Sequence, residues 1–377
     1  VVSAIGVDAV KTGMLVNAAI VQVVSQKIRQ YRLRRVVVDP VMVAKNGESL
    51  LSPAAEGILK ETLIPLVYLL TPNIPEAEVL IGKKIRNGRG VKEAARTLQR
   101  MGARNVLIKG GHLPGDPLDV LFDGRNFHEF KGPRLTTPHT HGTGCTLSAA
   151  IAVELARGRS LLEAVEKAKG YITLAIQAAY PLGHGRGPVN HYIWVAREIE
   201  RYPVIRRLNQ AFQSLQDGKI GSLCPEAQSN LGYALPYARG PEEVAAFPGR
   251  FVWVGREIRK VADPEFGASR HIAKIVLTAM SHDPAMRSAM NIRYGEDVLA
   301  RAKKAGLQIA HFDRKDEPSG LKRKEGSSLS WGVHQALKEA KKMPDIIYDR
   351  GAVGKEPMIR VLGKDPQEVV AIVLRLL

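Results

Sequence analysis

Two apolar rhythms alternate along this chain. Short β-branched runs at 35–39, 67–71 and 105–109 are separated by stretches whose apolar residues recur every three or four positions, as at 53–61 and 90–101. The first rhythm predicts buried strands and the second amphipathic helices. A strand is also predicted at 1–6, and a hairpin at 118–122 and 126–130 turning over Asp123-Gly124. Helices are predicted at 146–156 and 161–178. Strand–helix alternation of this kind predicts an α/β unit with a mainly parallel sheet covered on both faces. A second pattern starts near Pro203, with helices predicted at 205–217, 271–280, 296–305 and 333–343. Its strands are predicted at 251–254, 307–311 and 346–348, and 232–236 reads as part of a ligand-binding loop region. The expected organisation is two domains, 1–200 and 201–377, the second a separate α/β sandwich.

Composition narrows the classes. With 377 residues the chain can bury two cores, and no apolar run approaches the ~20 residues of a membrane span. Two cysteines, Cys145 and Cys224, lie too far apart in sequence to suggest a disulfide scaffold, which suits a reducing cytoplasm. The net charge of +18 is spread over both halves without a basic arm or zinc finger, so nucleic acid is not an expected partner. Attraction of phosphorylated metabolites, or simply a solvated surface suited to high temperature, accounts for the charge instead.

In a parallel sheet, functional residues belong just past the strand C-termini, where Asp39, Thr71, Lys109 and Gly142 fall. The run His139-Thr140-His141-Gly142-Thr143-Gly144-Cys145 precedes an apolar helix. Glycines allow a tight turn there, and the helix start directs N–H groups and positive potential into it, which makes an anion cradle. Asp39 can serve a magnesium ion or cap a turn. Asn73 and Glu76, three apart, suit either one face of a helical turn or an N-capping arrangement. Lys109, ahead of Gly110-Gly111-His112, can meet a polyphosphate.

These stretches, with Asp8-Ala9-Val10-Lys11-Thr12-Gly13-Met14-Leu15, Asp39-Pro40-Val41-Met42, Thr71-Pro72-Asn73 and Gly187-Pro188-Val189-Asn190-His191, occur in an order that resembles the hydroxymethylpyrimidine and phosphohydroxymethylpyrimidine kinases. The resemblance implies a ribokinase-like three-layer sandwich using ATP and Mg²⁺. It implies Cys145 as the base at the substrate hydroxyl, and Gly142, Thr143 and Gly144 as the cradle of the transferred phosphoryl group. Asp39, Asn73 and Glu76 would form the magnesium–phosphate network, Lys109 would lie near the nucleotide, and Met14 would line the pyrimidine pocket. Such kinases begin with a strand and a glycine-rich segment ahead of the point where this chain opens. The expectation is a sandwich lacking its first strands, with weak or absent kinase activity in the chain as written, and either a homo-oligomer lending strand pairing or poor order near residue 1.

In the second half, Phe266-Gly267-Ala268-Ser269-Arg270-His271 predicts a turn into a helix with Ser269 as cap. Two potentially cationic side chains at the positive helix end are disfavoured unless an anion, such as a diphosphate, lies nearby. Glu226 and Asn230 are candidate ligand contacts or turn caps. Arg314 and Lys324 can hold phosphate oxygens, Glu317 and Glu325 a magnesium ion, and Trp331 or Tyr233 can stack on a heterocycle or pack in a core. The loop 349–357, with Arg350, Gly351, Gly354 and Lys355, reads as a further cradle. These stretches, with Pro248-Gly249-Arg250 and Asn291-Ile292-Arg293-Tyr294, resemble the archaeal-type thiamine-phosphate synthase domain. That resemblance implies joining hydroxymethylpyrimidine diphosphate to thiazole phosphate, with Arg270 and His271 serving the phosphates and Asn291, Arg350 and Lys355 among the substrate contacts. The alternative is a pyrimidine kinase whose second domain senses ligands.

Overall fold

Val36, Val37 and Val38 are completely buried, the mark of a strand covered on both faces. They form β2 (Val36–Val38) of a six-stranded sheet in the computed structural model, which describes residues 2–42, 50–111, 115–182, 184–318 and 327–377. The chain divides into two units, Val1–Trp194 and Val195–Leu377.

In the first unit the sheet order is β1 (Val10–Thr12), β2, β3 (Leu69–Leu70), β4 (Asn105–Ile108), β5 (Leu118–Phe122) and β6 (Phe127–Lys131). The first four strands pair in parallel, and β4–β5–β6 continue antiparallel through the hairpin expected over Asp123-Gly124. The strand expected at 1–6 is instead a helical turn, α1 (Val2–Ile5). None of its residues is buried, so its β-branched side chains find no pleated surface to pack on, and the Gly6 N–H closes the turn on the Val2 carbonyl. The helices that follow are α2 (Ala18–Gln30), α3 (Pro53–Ile58), α4 (Ile74–Ile81), α5 (Gly88–Arg100), α6 (Thr143–Ala156) and α7 (Leu161–Gln177). Their starts are written in the sequence: Asn17, Ser52, Asn73, Asn87 and Ser160 each accept a backbone N–H at their helix's first turn.

The second unit takes most of the long helix α8 (Ile193–Asp217). It adds a seven-stranded sheet and a two-stranded hairpin, β9 (Phe251–Val254) with β10 (Glu257–Lys260). The sheet order is β11 (Glu265–Phe266), β8 (Val244–Ala246), β7 (Leu231–Ala234), β12 (Ser288–Arg293), β15 (Met358–Gly363), β14 (Ile346–Asp349) and β13 (Ile309–His311). All neighbours are antiparallel except β13 and β14. Alternate strand residues face two separate cores. Leu231, Met290, Ile292, Ile359 and Val361 pack with α8, α10 (Glu296–Lys304) and α12 (Pro366–Leu374). Ala234, Ala289, Ile347 and Leu362 pack with α9 (Arg270–His282) and α11 (Ser327–Glu339).

The region expected to be a ligand loop at 232–236 is thus largely the central strand β7. Its Gly232 is there for close packing: an added Cβ would lie 2.2 Å from Cγ2 of Ile272 on α9. Tyr233, a stacking candidate, is buried in the core with its hydroxyl accepting from Arg207 at 3.2 Å. Among the described residues no helix is long and apolar enough to cross a membrane.

Candidate functional site

The C-terminal ends of β2, β3 and β4 deliver three charged side chains to one point. Lys109 Nζ lies 2.6 Å from Asp39 Oδ1 and 3.9 Å from Glu76 Oε2, and both carboxylates are almost wholly buried. Asp39 also accepts long hydrogen bonds of 3.5 Å from the Thr71 and Ser148 hydroxyls. Burial pushes the Glu76 carboxyl up to about 7, against the pull of Lys109 and of the Asn73 N–H, while Asp39 adds to the rise.

Asn73 is the N-cap of α4. Its side-chain oxygen accepts the Glu76 N–H at 2.8 Å, and Glu76 returns an acceptance of the Asn73 N–H at 2.7 Å, the reciprocal capping arrangement. Its amide oxygen is therefore already engaged. Two buried carboxylates, one kept partly protonated by desolvation, fit a hard divalent cation. Magnesium takes one or two carboxylates and fills its shell from water and phosphate. Among the described residues no group of three or more acidic, histidine or cysteine ligands forms.

The anion cradle adjoins this cluster. Gly142 stands at the start of α6 with φ +83° and offers no side-chain cap, so the helix end is left to other partners. A Cβ on Gly144 would come within 3.2 Å of Lys109 Nζ and 3.7 Å of Asp39 Oδ2, which places the turn directly over the ion pair. The Ser148 hydroxyl, with one proton to give, lies within reach of the Gly144 and Cys145 carbonyls at 3.1 and 3.0 Å and of Asp39 at 3.5 Å. Thr143 turns its hydroxyl to the Thr140 carbonyl at 2.7 Å. Cys145 is exposed in the first turn of α6, and Met14 is exposed just beyond β1.

In the second unit, one edge of the sheet gathers the C-terminal ends of β8, β12, β13 and β14 and the N-terminal ends of β7 and β15. An open cleft of about 370 Å³ lies there, lined by Gln228, Asn230, Phe247, Arg250, Arg270 and His271 among others. Ser269 caps α9 as expected, accepting the Ile272 N–H at 3.4 Å, and sets Arg270 and His271 in the first turn. Burial lowers His271 to about 4, helped by the positive charges of Arg360, Arg250, Arg314 and Lys274. The ring is neutral at pH 7. Close by, Asp349 accepts from Arg314 Nε at 2.6 Å and from Arg360 Nη2 at 2.7 Å. Burial acts to raise Asp349, but the two guanidinium groups more than reverse it and hold the carboxyl below its ordinary value. Arg360 is itself buried, and among the described residues its Nε has no hydrogen-bond partner.

The other expected contacts are distributed differently. Asn230 and Asn291 are buried and internally occupied. The Asn230 amide brackets Phe247, donating to its carbonyl at 2.8 Å and accepting its N–H at 3.1 Å. Asn291 accepts the Asn230 N–H at 2.8 Å and donates to the Gln228 carbonyl at 2.9 Å. Glu226 is exposed, and its backbone N–H donates to Glu356 at 2.9 Å. Glu317 is buried 3.7 Å from Lys355, and its Oε1 has no partner among the described residues. Arg350 reaches the Tyr294 hydroxyl at 3.4 Å on the exposed surface. Trp331 is half-buried, edge-on to Phe312. Lys324 and Glu325 lie outside the described residues.

Sequence reasoning gave no role to Arg250 or Arg360. Arg360 had a visible signal, a lone cation inside the apolar run Met358-Ile359-Arg360-Val361-Leu362. Arg250 had only the Gly249-Arg250 turn before a strand.

Residues 1–190 match the family model described as phosphomethylpyrimidine kinase. The chain belongs to that family. Its first unit is accordingly ribokinase-like, and residues 207–375 match the model of thiamine-phosphate synthase ThiN, so a domain of that second family follows the kinase domain. The thiamine biosynthesis bifunctional protein ThiED of Geobacter sulfurreducens is 57% identical over 194 residues, covering 51% of this chain and 40% of its own. The hydroxymethylpyrimidine/phosphomethylpyrimidine kinase of Bacillus subtilis is 48% identical over 187 residues, covering 49% of this chain and 69% of its own. The chain thus spans less than half the length of the first relative and about two thirds of the second. A solved C-terminal domain of phosphomethylpyrimidine kinase is 40% identical, covering 47% of this chain and 100% of its own at a TM-score of 0.46.

Proposed function

We propose that this protein makes thiamine phosphate, its two units performing consecutive steps. The first transfers phosphoryl groups from ATP to hydroxymethylpyrimidine and its phosphate. The second joins the resulting diphosphate to thiazole phosphate and releases diphosphate. The observation that carries this reading is the cation-rich cleft at the start of α9, where four positive side chains act on a neutral His271. Such a field is compensated by a polyanion of the diphosphate class.

The join proceeds by departure of diphosphate from the pyrimidine methylene carbon, and the cation left behind is captured by the thiazole nitrogen. The protein's task is to hold the leaving charge and keep water from the cation. Arg250 and Arg270 grip phosphate oxygens, and α9 adds its N-terminal N–H groups. His271, neutral at pH 7, adds a hydrogen bond without adding charge to a crowded cationic site. Asp349 fixes Arg314 and Arg360, so the field is set before substrate arrives.

In the first unit, Gly142, Thr143 and Gly144 present backbone N–H groups to the transferred phosphoryl, and Lys109 offsets its charge. Cys145 takes the substrate hydroxyl proton. A magnesium ion held by Asp39 and Glu76 would supply charge neutralisation at the phosphates. Use of ATP argues for a cytoplasmic setting.

The test is formation of thiamine phosphate from the pyrimidine diphosphate and thiazole phosphate with Mg²⁺, alongside ADP release from ATP with hydroxymethylpyrimidine. Absence of thiamine phosphate at any protein concentration refutes the synthase reading. Tight binding of the precursors without turnover would make the second unit a sensor.

A further inference from the structure

The end of α9 remote from Arg270 carries chemistry that the reaction above does not use. His282 closes α9 and His334 lies on α11, and the two helices pack against each other through Ile275, Ala279, Val333 and Leu337. Nε2 of His282 lies 2.9 Å from Nδ1 of His334, with ring centroids 4.8 Å apart. Both rings are exposed. One hydrogen bond between two imidazoles occupies two nitrogens with a single proton. Partial burial, and then the neighbouring His334, hold His282 below its ordinary value.

We propose that His282 and His334 form a bidentate site for a divalent d-block ion of the Cu²⁺ or Ni²⁺ class, strapping α9 to α11. Metal–imidazole bonds of ~2.0–2.1 Å at a right angle set the two nitrogens about 2.9 Å apart, and at the tetrahedral angle about 3.4 Å. The observed 2.9 Å is the length of an ordinary N–H···N hydrogen bond, and it keeps both nitrogens within reach of one ion. Cu²⁺ and Ni²⁺ are named because they stand at the top of the first-row affinity order for nitrogen ligands. Binding breaks one N–H···N hydrogen bond and forms two metal–nitrogen bonds. The shared proton moves to the outer nitrogen of its own imidazole, so each ring offers one lone pair to the ion. Water completes the shell, because both rings face solvent. The site is about 17 Å along α9 from His271, at 1.5 Å per residue, and so stands apart from the cleft.

The experiment titrates Cu²⁺ into the full chain after chelator treatment, followed by electron paramagnetic resonance and thermal unfolding. The expected result is one equivalent bound with two-nitrogen splitting and a raised melting temperature. Affinity should fall at least ~10-fold in both His334→Ala and His334→Gln. The Gln variant keeps a hydrogen-bonding partner for His282 but offers no imidazole lone pair, so it separates a metal site from a plain hydrogen bond and remains informative if the Ala variant folds poorly. Equal affinity in wild type and the Gln variant, or a one-nitrogen signal, overturns the proposal.

Discussion

Replacing Glu76 by glutamine should flatten the pH dependence of the first unit's stability. Burial raises this carboxyl from 4.5 to about 7, so between those values the folded protein keeps a proton that the unfolded chain has released. The stabilisation is therefore full below pH 4.5 and is lost as the pH rises through 7. At 1.36 kcal/mol per pH unit, the shift is worth about 3 kcal/mol, or roughly 6–12 °C in melting temperature for a unit of this size. Glutamine retains an oxygen for the Asn73 N–H but cannot ionise. Scanning calorimetry from pH 4.5 to 8 should show the wild-type transition falling relative to the Glu76→Gln transition. Magnesium with nucleotide, which favours the ionised carboxyl, should recover part of the loss in wild type alone. Parallel pH curves for the two proteins would refute the argument that desolvation dominates at this position.

Arg250→Ala and Arg270→Ala should each lower thiamine-phosphate formation by about 10²-fold or more, through lost charge-assisted contacts to the leaving group. Cys145→Ala should leave that rate untouched while abolishing ATP-dependent phosphorylation, and similar losses in both assays would mean the roles are misassigned. Asn230→Ala should cost about 2–4 kcal/mol in urea unfolding, because the buried N–H and carbonyl of Phe247 lose their partner. Acidification from pH 6.5 toward 4 should destabilise the second unit, since the unfolded chain binds a proton at His271 that the folded state refuses until about pH 4. His271→Gln should remove that slope in pH-dependent denaturation.

Much of the first unit was legible because its signals are local. Helix starts are marked by Asn73, Ser160 and their capping glutamates, and β2 and β4 are nearly pure β-branched or apolar runs. Strand-end placement in a parallel sheet pointed to Asp39 and Lys109, whereas Glu76 entered the site only through the family resemblance. The second unit was less readable. Its central strands β7, β12 and β15 carry Gly232, Asn291 and Arg360, residues that read locally as breakers or surface charge. Each is explained only by a distant partner: Ile272 beside Gly232, the 228–230 turn bound by Asn291, and Asp349 paired with Arg360. For the same reason Asn230 read as a ligand contact, although its amide is taken up by Phe247.

The position of β15 in the second sheet bears on how the chain reaches its fold during synthesis. This strand is the last of the seven in sequence, yet it sits between β12 and β14. Until it emerges, β12 lacks one neighbour and β13–β14 have no link to the rest of the sheet. The first unit's strands, by contrast, are all made by Lys131 and its helix α7 by Gln177. At ~5–20 residues per second the ribosome takes roughly 10–40 s to travel from there to Gly363. During that interval the first unit's strands and its helices through α7 are tethered to a half-sheet with two open flanks, β12 on one side and β14 on the other. Slow codons or chaperone binding late in the message would therefore govern the yield of the second unit, and leave the first almost unaffected.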